Sequence, residues 1–187
     1  NLFIDDVTIE EFTPTTITSA STGNWNTPGT WVGGIVPTSD NNVVIAAGHT
    51  VTSNVNNARM QNLTVDGTMN YSSATTTLLN TIQGDLTVSA TGTYNSFFST
   101  TGKRTYLCGS LTNAGTINFG ISATSTSEAT LIFMGYGNAN FSNSGTISFG
   151  KMNGIWHFKD GMVVYLNPVT ITTRAVFGLG SVNPNGN

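Results

Sequence analysis

The chain has 187 residues, a formal net charge of −3 and only 8% charged residues, about a third of the usual share. Its six Lys and Arg are scattered apart from one adjacent pair, which excludes a nucleic-acid footprint, and no apolar run approaches the ~20 residues of a membrane-spanning helix. Polarity comes instead from 32 Thr and 22 Asn set among 38% apolar residues, the palette of a secreted β protein and not of a disordered chain.

The opening Leu2-Phe3-Ile4-Asp5-Asp6-Val7-Thr8-Ile9-Glu10-Glu11-Phe12 reads as a strand. It resembles the last strand of the jelly-roll modules of secreted multidomain proteins, which would make residues 1–12 the end of a preceding module; the other reading is a first strand packed onto the domain that follows. Asp5 and Asp6 fall well short of the six to eight oxygens that calcium takes. The start lacks the basic residues and apolar run of a signal peptide, so the chain is expected to be a fragment of something larger. Residues 13–23, rich in Ser and Thr around Pro14, read as a linker.

Next comes Gly23-Asn24-Trp25-Asn26-Thr27-Pro28-Gly29-Thr30-Trp31-Val32-Gly33-Gly34-Ile35-Val36-Pro37, then Val43-Val44-Ile45 and Gly48-His49-Thr50-Val51. The Trp-x5-Trp-x-Gly-Gly-x2-Pro spacing resembles the opening segment of the eight-glycine domain of secreted and cell-surface proteins. It is equally similar to the solenoid starts of large bacterial surface proteins exported by the type IX route. That resemblance covers residues 23 to about 71. A solenoid's first turn has no neighbour on one side, and Trp25 and Trp31, held by Gly33, Gly34 and Pro37, are large enough to cap its core. The rival reading makes the two Trp an exposed sugar-stacking platform. His49, at a turn before a strand, is expected to make an orienting hydrogen bond, since His157 alone could join it in a metal site.

From Val43 onward three strand sets recur. Gly-Thr pairs at Gly67, Gly92, Gly115 and Gly145 each precede an alternating apolar strand, at intervals of 25, 23 and 30 residues. Upstream of the first three lie Asn62-Leu63-Thr64-Val65, Asp85-Leu86-Thr87-Val88 and Ser110-Leu111-Thr112-Asn113. In the intervals lie Thr77-Leu78-Leu79, Arg104-Thr105-Tyr106-Leu107 and Thr130-Leu131-Ile132-Phe133. Three short strands per turn predict an all-β, right-handed parallel β-helix (β-solenoid) over residues 24–187, with an N-terminal Trp/Gly/Pro-rich cap. Its core would include Leu63, Val65, Leu86, Val88, Leu111, Ile117, Phe119, Ile132, Ile147 and Phe149. Cys108, the one cysteine, is expected in that core as a small hydrophobe.

Solenoid polysaccharide-degrading enzymes need converging carboxylates. Aligned on the repeats, Asp66, Asp85 and Asp160 form no pair, and Lys103-Arg104 reads as a solvated turn. No catalytic residue, metal ligand or cofactor is therefore expected. What repeats at the surface is a neutral ladder: Thr68 and Asn70, Thr93 and Asn95, Thr116 and Asn118, Thr146 and Ser148 point outward if the residues between them point in. The expected function is a non-catalytic structural or adhesive module of a large secreted protein at a bacterial cell surface. Its expected partners are polysaccharide or another surface protein, together with other domains of its parent chain, without nucleic acid or membrane insertion. The alternatives are a carbohydrate-binding module of a multidomain enzyme, a solenoid enzyme, and an ice-binding surface, the last disfavoured by the uneven intervals.

Overall fold

The computed structural model describes residues 11–71, 79–96, 103–119, 129–134, 138–149, 152–157, 163–166 and 177–178. The Leu2–Glu10 stretch lies outside them, and Glu11 and Phe12 are exposed coil. Thr15–Thr18 (β1) and Gly23–Asn24 (β2) come first. The next nine strands form three turns: Asn41–Ile45 (β3), Thr50–Ser53 (β4) and Ala58–Met60 (β5); Leu63–Val65 (β6), Thr68–Tyr71 (β7) and Leu79–Ile82 (β8); Leu86–Val88 (β9), Thr93–Asn95 (β10) and Lys103–Leu107 (β11). Two further turns hold Leu111–Asn113 (β12), Thr116–Phe119 (β13) and Ala129–Phe133 (β14), then Asn138–Asn143 (β15), Thr146–Phe149 (β16) and Met152–His157 (β17). Val163–Leu166 (β18) and Phe177–Gly178 (β19) follow.

Each strand pairs, in parallel, with the strand that occupies its place one turn earlier or later. Three sheets result: β1-β3-β6-β9-β12-β15-β18, β2-β4-β7-β10-β13-β16 and β5-β8-β11-β14-β17-β19. This is a parallel β-solenoid with three strands per turn, and no α-helix occurs among the described residues. Short apolar-polar-apolar runs bury alternate side chains. Leu63, Leu86 and Leu111 stack in register in the first sheet, and Met69, Tyr94, Ile117 and Ile147 in the second. With Ile82, Leu107 and Phe133 of the third sheet they belong to one apolar cluster, each large side chain worth about 1.5–3 kcal/mol when buried. Of the expected core, all but Phe149 are buried; the Phe149 side chain lies outside the described residues.

The repeated glycines have a steric reason. A Cβ on Gly67, Gly92, Gly115 or Gly145 would run into a backbone carbonyl oxygen of the preceding turn. The uneven intervals also resolve. Between the first and second sheets the connections stay two to four residues long, whereas β7 to β8, β10 to β11 and β13 to β14 are joined by segments of 72–78, 96–102 and 120–128. Length varies at all three corners: partners lie 23 residues apart at Leu63 and Leu86 but 25 at Thr68 and Thr93, 23 at Thr93 and Thr116 but 26 at Arg104 and Thr130, and 30 at Leu111 and Phe141, while the registers of the first two sheets stay intact.

Several readings are corrected. Thr15–Thr18, inside the stretch read as linker, is a strand paired with β3. Of the strand expected at Thr77-Leu78-Leu79, Thr77 and Leu78 lie outside the described residues, and Leu79 opens Leu79–Ile82, pairing with Arg104. Cys108 is half-buried beyond the end of β11, where its N–H donates to Ile82 O at 2.9 Å, and Leu107 takes the core position.

Candidate functional site

The cap is built around two rings. Trp25 and Trp31 are each 2% exposed, in an edge-on pair with centroids 5.0 Å apart. Trp31 Nε1–H donates to Trp25 O at 2.7 Å, so the indole dipole is satisfied inside the core. Two 3-10 turns, Pro28–Thr30 and Val32–Gly34, carry the chain around the rings, and Thr30 Oγ1 donates to Asn24 O at 2.9 Å. Pro37 is buried, whereas Gly33 and Gly34 are exposed with φ of 73° and 69°. Burial of both rings leaves no sugar-stacking platform there.

His49 adjoins the cap. Its Nδ1 lies 2.9 Å from Ser19 Oγ and 3.1 Å from the Ser19 carbonyl oxygen. Ser19 Oγ also accepts from Ala46 N–H at 2.9 Å. Among the described residues no group of three or more His, Cys, Asp and Glu could hold a metal ion.

The outer face of the second sheet carries the neutral ladder. Thr68, Thr93, Thr116 and Thr146 are in register, as are Asn70, Asn95, Asn118 and Ser148. All eight are half-buried except Thr146, which is exposed. Asn95 Nδ2 donates to Asn70 Oδ1 at 2.8 Å and Asn118 Nδ2 to Asn95 Oδ1 at 2.7 Å. Asn95 uses one N–H and one acceptor position in this chain, Asn70 one acceptor position and Asn118 one N–H, which leaves the rest of each amide for another partner. Thr50 and Thr52, which lack the Gly-Thr signature, extend the ladder to a fifth rung in register with Thr68 and Asn70. None of these ten positions is charged.

A second series, at the strand starts of the first sheet, is a hydrogen-bonded stair. Asn62 Oδ1 accepts from Asp85 N–H and Asp85 Oδ1 from Ser110 N–H, each at 2.7 Å, and Ser110 Oγ accepts from Asn140 N–H at 3.1 Å. Asp85 thus secures the next turn. Asp66 follows β6 at the corner between the first and second sheets, Asp85 precedes β9 at the corner between the third and first, and Lys103 opens β11 beyond the remaining corner. The three are not brought together.

Inside the solenoid, sequence alternation alone missed a polar cluster. Tyr71 Oη lies 2.9 Å from Thr105 Oγ1 and 3.2 Å from Tyr94 Oη, and Ser53 Oγ donates to Asn80 Oδ1 at 3.0 Å. Burial pushes the Tyr71 hydroxyl well above the ordinary tyrosine range, with the neighbouring Tyr94 adding to the shift. Burial raises Tyr94 as well, partly opposed by its hydrogen bond to Thr105.

These glycine contacts, the tryptophan cap and the neutral outer ladders belong to a parallel β-solenoid with three strands per turn. The model of one protein family, the G8 domain, matches residues 30–155, about two thirds of the chain. The chain belongs to the G8 domain family, a domain found in extracellular proteins. Neither the curated proteins nor the solved structures gave a match.

Proposed function

We propose that this chain is a non-catalytic module of a larger bacterial cell-surface protein exported by the type IX route, and that it meets polysaccharide through the outer face of the second sheet. The observation that carries the reading is the five-rung, in-register array of Thr and Asn, uncharged and partly unsatisfied. Its rungs repeat at the ~4.8 Å strand spacing. Hydroxyl and amide groups on a flat sheet offer an extended glycan matched donors and acceptors without the desolvation cost of a charge. The separation of Asp66, Asp85 and Lys103 onto three corners, with Asp85 engaged by Ser110, supports the absence of a catalytic centre. Another surface protein could take the same face.

The register also favours ice binding as a second reading, because the Thr and Asn rows stay aligned although the intervals between turns are uneven. Thermal hysteresis measured on the same protein separates the two.

The test is an affinity screen against cell-surface polysaccharides with the parent chain and the double variant Thr93→Lys/Thr116→Lys. Two long cations on adjacent rungs should abolish binding, while stability falls by about 1 kcal/mol. Binding by the folded variant equal to that of the parent would remove the ladder from the function.

A further inference from the structure

The charges of this chain are sorted by sheet. Among the described residues the Lys and Arg are Arg59, Lys103 and Arg104, and all of them lie in strands of the third sheet, Arg59 in β5 and the other two at the start of β11. Lys103 and Arg104, expected in a turn, are thus part of a strand. The described acids, Glu11, Asp40, Asp66 and Asp85, all lie outside that sheet, and none of its strands contains Asp or Glu. No carboxylate within the sheet offsets its cations.

Alternation fixes the face that carries them. Ala58 and Met60 of β5, Asn80 and Ile82 of β8, and Thr105 and Leu107 of β11 are buried. Arg59, Thr81 and Tyr106, which stand between them in register, therefore point outward. Leu79 and Arg104 form a second outward row two residues earlier. Arg59 and Arg104 are exposed, and Leu79, Thr81 and Tyr106 half-buried. Two strand spacings and two residues of rise put the Cα atoms of the two arginines about 12 Å apart, and Tyr106 follows Arg104 on the same face. The open part of this face ends at β14, where Ile132, the next outward position after Tyr106, is only 5% exposed.

We propose that the outer face of β5, β8 and β11 binds an acidic polysaccharide, with Arg59 and Arg104 each holding one of its anionic groups and the Tyr106 ring packing against a sugar. A guanidinium presents a planar fork of donors that fits the oxygens of an anionic group. Each such contact is weak at an exposed site, and two gain strength together when a single chain carries both anions. The tyrosine ring adds a rigid apolar surface with a polar tip. This site is separate from the neutral ladder of the second sheet and does not rest on it.

The test is affinity electrophoresis of the chain in gels that contain alginate, dextran sulfate or neutral dextran. Retardation by either polyanion in excess of that by dextran is expected, and it should weaken as salt rises, because exposed charges are screened. Arg59→Gln/Arg104→Gln should raise the dissociation constant for the polyanion about tenfold, the loss of roughly one charge-assisted hydrogen bond. Thr93→Lys/Thr116→Lys, which alters the ladder, should leave polyanion binding no weaker. No excess retardation by a polyanion, or equal retardation of the double Gln variant, would overturn the proposal. So would loss of polyanion binding in the ladder variant, which would place the contact on the second sheet, or binding to anionic phospholipid vesicles alone, which would make the partner a membrane surface. Should the double Gln variant fail to fold, the salt dependence and the contrast with dextran in the unaltered chain decide.

Discussion

In the cap, Gly33 and Gly34 have φ of 73° and 69°, and a Cβ on either would meet nothing closer than 3.8 Å. In the turns that follow, Gly67, Gly92, Gly115 and Gly145 have no positive φ, yet a Cβ on each would strike a carbonyl oxygen of the turn before. The cap glycines shape a loop once, by backbone conformation. The others set the separation between turns at one corner, so they recur with every turn. The two regions also close their cores differently: the cap by ring size, with Trp25 against Trp31, and the turns by stacked alternation and polar ladders.

The largest effect should come from the cap ring. Trp31→Ala should destabilise by about 3–5 kcal/mol in denaturant unfolding, because the ring is buried and its Nε1–H satisfies Trp25 O. A loss under about 0.5 kcal/mol would mean that the ring does not close the core end.

The two kinds of glycine can be compared directly. Gly92→Ala should cost about 3 kcal/mol, the upper part of the overpacking range, because the obstacle is the Val65 carbonyl and not a flexible side chain. Gly33→Ala should cost about 1 kcal/mol, the strain of a left-handed backbone in open space. Gly33→Asn should cost less, since Asn tolerates that conformation. Finding Gly33 the more sensitive position would break the comparison.

Residues Thr15 to Pro37 contain no titratable side chain, whereas the turns bury Tyr71 and Tyr94. Both folded-state pKa values are raised. Their contribution is therefore fully present below the unfolded tyrosine value of about 10 and is lost as pH rises beyond it, when the unfolded chain releases its protons first. Unfolding free energy measured from pH 7 to 11 should fall above pH 10, by up to roughly 1 kcal/mol per pH unit for each group. Tyr94→Phe should shallow that slope; an unchanged slope would mean that Tyr94 ionises as freely folded as unfolded.

The smallest expected effect concerns the stair. Asp85→Ala removes the acceptor for Ser110 N–H and should cost about 1 kcal/mol, while Asp85→Asn, which keeps an acceptor oxygen, should be nearly neutral. Equal losses in both would mean that the charge of Asp85, and not its hydrogen bond, matters.

Much of this was legible in the sequence, and the parts that were not share a cause. The Gly-Thr strands and the Leu-Thr-Val strands carry their own alternation, so the in-register stacks of Met69, Tyr94 and Ile117 and of Leu63, Leu86 and Leu111 follow from local pattern once a repeat is seen. The position of the cap followed from the spacing of Trp25 and Trp31. The third sheet was harder. Leu79–Ile82 is a strand that places the polar Asn80 inside, where Ser53 supplies a partner 27 residues away. Thr15–Thr18 looks like linker by composition and becomes a strand only because β3 lies beside it. The sequence by itself thus determined the repeat, the inward positions of its clearest strands and the neutrality of its outer ladder, because period-two alternation is a local property. Only the tertiary structure decided which polar groups meet inside, which carbonyl each glycine must clear and how the extra residues are shared among the three corners. Those depend on neighbours a full turn away, and turns of unequal length hide the partner until the chain is stacked.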